Sequence, residues 1–384
     1  MTLITDNKEL AAFAERAAQA EFVTVDTEFL RDKTYWPRLC LWQIAAGDEA
    51  VAIDALAPGI DLTPALALMN APRPLKVFHA ARQDIEIFYK LTGKVPAPLF
   101  DTQIAAMVCG FGDAVSYESL ASRLAKARID KTMRFTDWSR RPLTKKQLDY
   151  AIADVTHLQI VYRRLAERLE RSGRTDWVAE ELAALTRPET YTMNPQDAWK
   201  RIKARGTKPR YVAVLRALAA WREAEAQRRD IPRNRVLRDE ALAEIAAHAP
   251  QTAEELAGLR GVAADQVKGR VGAAVMAAVA EALALPEDAL PRVPDRDDGR
   301  QAAGPAVDLL KVLLKMKCDM HGVAQRLVAS GDDIEALARG DGADVPALHG
   351  WRRELFGDDA LALRDGRIAL TTQGNKLKVV PLER

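Results

Sequence analysis

The sequence predicts an α/β domain, a mixed sheet with flanking helices, followed by an all-α region. From Phe22 to Leu91, short apolar runs of strand character alternate with helical patterns, as in a sheet covered by helices. Beyond about Pro188 strand signals vanish, and Ala, Leu, Arg and Glu recur at helical spacing through Ala284. At 384 residues the chain exceeds one ordinary core, so two or three domains are expected.

Asp6-x-x-Glu9 has the pattern of a capping box ahead of the amphipathic stretch Leu10–Ala18. Strands are expected over Phe22–Thr27, Leu39–Ala45 and Ala50–Asp54. The last two are joined by the turn Ala46-Gly47-Asp48-Glu49 and hence antiparallel. A helix over Thr63–Met69 leads to a strand over Leu75–His79 and a helix over Ala81–Leu91. Ser116 to about Leu185 reads as helices, broken near Asp137-Trp138-Ser139-Arg140-Arg141-Pro142. These elements place a first domain at residues 1–187, with a connecting segment over 188–207. A helical domain is expected over 208–285, an acidic Pro-rich linker that cannot pack over 286–303, and a second helical unit over 304–384. Helical patterns in that unit lie around Leu309–Met320 and Asp332–Phe356, and Asp365-Gly366 between alternating runs predicts a hairpin.

Hydrophobic residues at 48% and charged residues at 29% match a soluble globular chain, and a formal net charge of +2 gives no global sign of a polyanionic partner. The N-terminus has no basic segment leading into an apolar stretch, and no run of 18 apolar residues occurs, so a cytoplasmic protein without membrane contact is expected. Cys40, Cys109 and Cys318 lie far apart with no Cys-x-x-Cys spacing and read as reduced core residues. No Gly-rich phosphate loop is present, so no nucleotide cofactor is expected.

The chemistry centres on acids. Asp26 and Glu28 stand two apart at the end of an apolar strand, where they point the same way and repel unless a cation sits between them. Two such oxygen ligands suit a hard divalent metal, although a solvated strand end gives the same pattern. Asp84 follows the Leu75–Phe78 strand near the start of a helix, a place where α/β sites collect and where an acid also complements the helix dipole. Tyr150 and Asp154 are four apart and share a helix face, either as a functional pair or as a local contact at a helix edge. His79 and Gln43 are weaker candidates for substrate contact. His157, His248, His321 and His349 form no ligand spacing.

Together, Asp-x-Glu on a first strand, Asp84 after a His-Ala-Ala turn and Tyr-x-x-x-Asp on a later helix resemble the three exonuclease motifs of the DEDD superfamily, in its tyrosine branch. The stretch Thr136-Asp137-Trp138-Ser139-Arg140-Arg141-Pro142-Leu143-Thr144 is similar to the segment preceding the third motif in the ribonuclease D family. Residues 208–284 resemble the helical HRDC domain, and residues 304–384 look like a degenerate second copy.

The resemblance implies a ribonuclease H-like exonuclease fold. It also implies a metal-dependent 3′→5′ exoribonuclease that releases nucleoside 5′-monophosphates from tRNA precursors and other small structured RNAs. Asp26, Glu28, Asp84 and Asp154 would bind two Mg²⁺, or Mn²⁺. Asp26 would bridge both ions, Glu28 and Asp154 would sit on the one holding the attacking water, and Asp84 on the other. Tyr150 would orient the water, since an ordinary tyrosine is a poor base at neutral pH. A DNA exonuclease and a catalytically inactive RNA-binding module are the alternatives.

Between Trp199 and Glu240 the chain carries thirteen basic and five acidic residues, an excess able to neutralise the phosphates of an RNA with a free 3′ end. A monomer is expected.

Overall fold

Central strands pair first with their chain neighbours, and the rest of the first sheet follows from that. The computed structural model describes the chain outside residues 1, 204–205, 207, 263–266, 268, 292–303, 341–343 and 383–384. Most of the expected linker, and Arg205 of the basic block, therefore lie outside the described residues.

The first body runs β1 (Thr2–Ile4), α1 (Asn7–Ala17), β2 (Phe22–Leu30), β3 (Arg38–Ala46), β4 (Glu49–Asp54), α2 (Thr63–Asn70), β5 (Leu75–Phe78), α3 (Arg82–Thr92) and β6 (Leu99–Asp101). It continues through α4 (Thr102–Val108), α5 (Tyr117–Leu124), α6 (Lys145–Ser172) and α7 (Thr175–Thr186). The sheet order is β1-β4-β3-β2-β5-β6. β3 is antiparallel to both β2 and β4, whereas β5 runs parallel to β2 and β6 parallel to β5. The sheet is thus mixed, and every strand expected from sequence in this first body is present. β1 and β6, each three residues long, were not expected.

Side chains alternate faces along β2, which sits mid-sheet. Val23 and Val25 enter a core with Phe13, Trp42, Ile53, Leu68 and Phe88 beneath α1, α2 and α3. Thr24 takes the opposite face, where its hydroxyl donates to the Val155 carbonyl of α6 at 2.7 Å. The 28-residue α6 begins at a capping box made by Thr144 and Gln147 and ends at Gly173, whose φ of 66° is the left-handed conformation that glycine adopts cheaply. Its buried stripe includes Ala151, Asp154, Val155, Leu158, Val161 and Leu165, so a carboxylate is embedded in an apolar face.

A second body has its own core, from α8 (Pro209–Arg229) and the helices Asp239–His248 and Arg270–Leu283. The 3-10 turn Pro195–Arg201 packs on α8 through Ala198 and Ile202, so part of the stretch expected only to connect contributes core residues. A third core gathers Leu313, Leu337, Trp351 and Phe356.

Here the hairpin differs from expectation. Leu361–Arg364 closes the helix Asp358–Arg364, and β7 (Ile368–Gln373) pairs with β8 (Lys376–Pro381) around Gly374-Asn375. A Gly with positive φ terminates a helix as readily as it turns a hairpin, so Asp365-Gly366 was ambiguous and the helix claimed it.

Both helical bodies dock on the first. The buried Tyr35 donates its hydroxyl to Glu223 of α8, and Asp230 accepts from the backbone N–H of Tyr35 at 3.1 Å and of Trp36 at 3.0 Å. On another side, Trp177 of α7 stacks on Trp351 with centroids 4.2 Å apart and rings 9° from parallel. Arg352 pairs there with Glu180 and Glu181. Gly110 meets Gly322 so closely that a Cβ would stand 2.4 Å from the Gly322 carbonyl oxygen. All three cysteines are free and buried, and no helix among the described residues is long and apolar enough to cross a membrane.

Candidate active site

Three elements deliver the acids to one end of the sheet. β2 extends past the last residue it pairs with β5, Thr24, so that Asp26 and Glu28 project beyond the sheet's middle toward α6. Asp26 faces Gln43 and Glu28 faces Leu41 across the ladder, after which the register shifts and Cys40 is the extra residue. Such a bulge increases local twist and re-aims side chains at a strand end. Arg141 fills it, donating to the Cys40 carbonyl at 2.9 Å while gripping both oxygens of Asp54 at 2.7 and 2.6 Å. Together with the buried Trp138, this makes the segment before α6 an anchor that fixes where that helix starts.

α3 brings Asp84. The turn before it holds Ala80 at φ 57°, a left-handed conformation that costs a non-glycine residue roughly 1–2 kcal/mol. Asp101 of β6 offsets that cost by accepting the backbone N–H groups of Ala80 and Ala81 at 3.0 and 2.8 Å. Asp84 is then buried in the first turn of α3, where the Thr27 hydroxyl donates to it at 2.5 Å. Thr27 points to the face of β2 opposite its neighbours, so Asp84 approaches from the other side of the strand.

The result is a cluster with internal structure. Asp26, Glu28 and Asp154 each place a carboxylate oxygen within 4.8 Å of the other two. Asp84 stands beside Asp26 outside this trio. Burial, then the charge of Asp26, pushes Asp84 well above the carboxylate range, while burial followed by the charge of Asp154 does the same to Asp26. Asp26 therefore lies between the two sides. Glu28 is pushed up to about 10 by burial and by the other three acids, and Asp154 up to about 7 by burial against the relief given by Tyr150 and Arg134. Oδ1 of Asp154 is buried without a hydrogen-bond partner. An all-oxygen donor set, mutual repulsion and an orphaned buried carboxylate oxygen fit a hard divalent cation.

Tyr150 lies one turn before Asp154 with its hydroxyl toward that carboxylate, and burial and the acids raise it far above ordinary tyrosine. The hydroxyl therefore keeps its proton and serves as a donor. All five candidates line one open cleft of about 460 Å³.

His79 lines the cleft too, but its Nδ1 is engaged by the Thr102 hydroxyl at 3.0 Å and burial lowers its pKa, so it is a neutral, tethered ring. Gln43, considered for substrate contact, is fully buried under α6 and does not reach the cleft surface.

Sequence reasoning missed Thr27, Tyr117 and Arg134. Tyr117 lines the cleft and donates its hydroxyl to the Asp154 backbone carbonyl, and Arg134 lowers the proton affinity of Glu28 and Asp154 across the cleft. Thr27, lying between the two acids, was the only one with a local signal.

Residues 1–170 match the 3′–5′ exonuclease family, and residues 212–279 match the HRDC domain. A ribonuclease D of Nitrobacter hamburgensis is 53% identical over 384 residues, covering 100% of both chains. That of Gluconacetobacter diazotrophicus is 52% identical over 379 residues, 99% of this chain and 96% of its own. In three dimensions, Escherichia coli RNase D superposes with a TM-score of 0.80 at 31% identity, covering 95% of this chain and 98% of its own. With relatives matched along its whole length and both regions recognised, the chain belongs to the ribonuclease D family.

Proposed function

We propose that this chain is a metal-dependent exoribonuclease that shortens RNA from the 3′ end, releasing nucleoside 5′-monophosphates. The observation that carries the proposal is the convergence of four carboxylates from β2, α3 and α6 on a cleft that also holds Tyr150. Asp26, Glu28, Asp84 and Asp154 are its metal ligands, with two Mg²⁺ per site. The trio of Asp26, Glu28 and Asp154 serves one ion, and Asp84 with Asp26 the other. When bound, the ions offset the carboxylate repulsion and supply Lewis acidity to the phosphodiester oxygens.

The chain's own residues do the rest. Asp26, flanked by acids on both sides, is the shared ligand. Tyr150, still protonated, orients the attacking water by hydrogen bonding. Thr27 and Tyr117 hold Asp84 and the Asp154 backbone in place.

A polymer substrate is supported by what adjoins the cleft. At Gln83 it adjoins a hollow of about 310 Å³ bordered by Arg31, Arg82, Arg201 and Arg233 and by Glu86, which pairs with Arg31 at 2.6 Å. Arg31, Arg201 and Arg233 also border a further hollow of about 330 Å³ against the second body. The basic block contributes fewer free charges than its composition suggests. Arg222 pairs with Asp239, Arg233 with Glu223 and Arg228 with Glu225, while Arg210 donates to the carbonyls ending the helix Arg270–Leu283. Arg201, in contrast, is exposed at the seam. We extend the proposal to domains at 1–187, 208–285 and 304–384, to tRNA precursors and other small structured RNAs as substrates, and to a monomer acting in the cytoplasm.

The test uses a labelled 3′-extended RNA, and a DNA strand of the same sequence, with wild type in Mg²⁺, wild type in EDTA, and Asp26→Asn in Mg²⁺. Monophosphates are expected from RNA in the first arm only. Equal release in all three arms, or none in any, refutes the proposal, and faster release from DNA reassigns the substrate.

A further inference from the structure

Phe135 is 90% exposed, the most exposed large apolar side chain among the described residues, and it directly follows Arg134, which lines the acidic cleft. A single exposed apolar side chain is ordinary, and what distinguishes this ring is the cleft-lining Arg134 beside it. Its position is held from below. Trp138, three residues on, is buried, and its ring stands 6.2 Å from that of Tyr150. The Thr136 backbone N–H donates to the Met133 carbonyl at 3.1 Å, and Gln147 of α6 donates to the Thr136 hydroxyl at 3.2 Å. The tip is therefore carried on an anchored base.

Arg134 is the second observation. Its side chain lines the cleft, and its charge is felt by Glu28 and Asp154. Yet it makes no hydrogen bond or ion pair among the described residues, and its guanidinium carbon lies 5.3 Å from the centroid of the Phe135 ring. A cation that faces acids without pairing to them is available to an anion entering between, and a phosphodiester is the anion that this cleft would admit. The neighbouring ring then meets whatever is attached to that phosphate.

We propose that Arg134 and Phe135 form a substrate clamp in which Arg134 contacts a phosphate of the RNA 3′ end and Phe135 stacks on one of its last two nucleobases. The proposal rests on the exoribonuclease reading above and deepens it. Every base has a π-face, so the clamp grips without reading sequence, as an enzyme that removes successive nucleotides requires. Held equally in ground and transition states, the stack acts on KM and leaves kcat alone.

The experiment compares wild type, Phe135→Ala and Phe135→Trp on an RNA oligonucleotide that is intact, or abasic at its terminal or its penultimate ribose. Base–aromatic stacking implies a rise in KM of about 5- to 150-fold for Phe135→Ala on intact RNA, with kcat within about twofold and recovery in Phe135→Trp. In wild type, one of the abasic substrates should raise KM by a similar factor, and Phe135→Ala should add nothing further on that substrate. The clamp is overturned if Phe135→Ala keeps the wild-type KM on intact RNA, or if it loses the same factor on both abasic substrates as on intact RNA. Failure of wild type to degrade intact RNA in Mg²⁺ would instead refute the exoribonuclease reading, so the two failures are distinct. A thermal midpoint close to that of wild type is expected for Phe135→Ala, because the ring buries little in the free protein.

Discussion

Glu28 at about 10 and Asp154 at about 7 hold protons that the unfolded chain would release near pH 4. Between pH 4 and 10 the native state thus binds more protons than the unfolded one, and stability falls as pH rises. In EDTA, the thermal midpoint should drop as pH goes from 5 to 9. Mg²⁺ should restore it by an amount that grows with pH, because binding expels those protons. Asp26→Asn, which removes one repelling charge, should raise the metal-free midpoint and flatten its pH slope. A metal-free midpoint that rises with pH in wild type would contradict this account. Among single residues, the five candidates were legible because charge at a strand end or in an apolar helix stripe has no cheap structural use. Thr27, Tyr117 and Arg134 were not, since each acts through a partner distant in sequence, 57 positions for Thr27 and 37 for Tyr117.

α6 is the element on which the site depends, because it covers β2 and carries both Tyr150 and Asp154. Ala151, fully buried between them, lets the helix lie close to Leu41 and Ala52. Ala151→Leu should cost about 1–3 kcal/mol by overpacking and lift both functional side chains away from β2. Denaturant titration should show the loss of stability, and Mg²⁺ titration a weaker site. Stability lost without weaker Mg²⁺ binding would separate packing from the site. Elements were readable where they were long enough to show a period. β2 to β5 carried such runs, whereas β1 and β6 span three residues each and gave none. β6 matters beyond its length, since its Asp101 clamps the turn that positions Asp84. The stretch between α5 and α6 has no period at all, and its shape is set by Arg141 reaching Asp54, 87 positions away.

At the scale of the whole molecule, the helical bodies grip the first body at separate seams. Glu223, 1% exposed, accepts from both Tyr35 and Arg233. Glu223→Ala should cost about 2–4 kcal/mol, below the figure for a fully buried pair because Arg233 retains solvent contact. It should raise KM for long RNA while sparing a dinucleotide, measured by denaturation and steady-state kinetics. Equal effects on both substrates would place the seam outside RNA binding. The division into an α/β half and a helical half was legible from composition alone, but which surfaces touch was not, because docking residues such as Tyr35, Trp177 and Gly322 look ordinary in sequence. The bond from Thr24 to the Val155 carbonyl joins residues 131 positions apart, next to acids separated just as widely. With the site residues proposed above, a chain still being synthesised has no complete acidic cluster until α6 has emerged and folded back on β2. On that assignment the completed fold is the switch, and a nascent fragment that ends before α6 holds Asp26, Glu28 and Asp84 but lacks Tyr150 and Asp154.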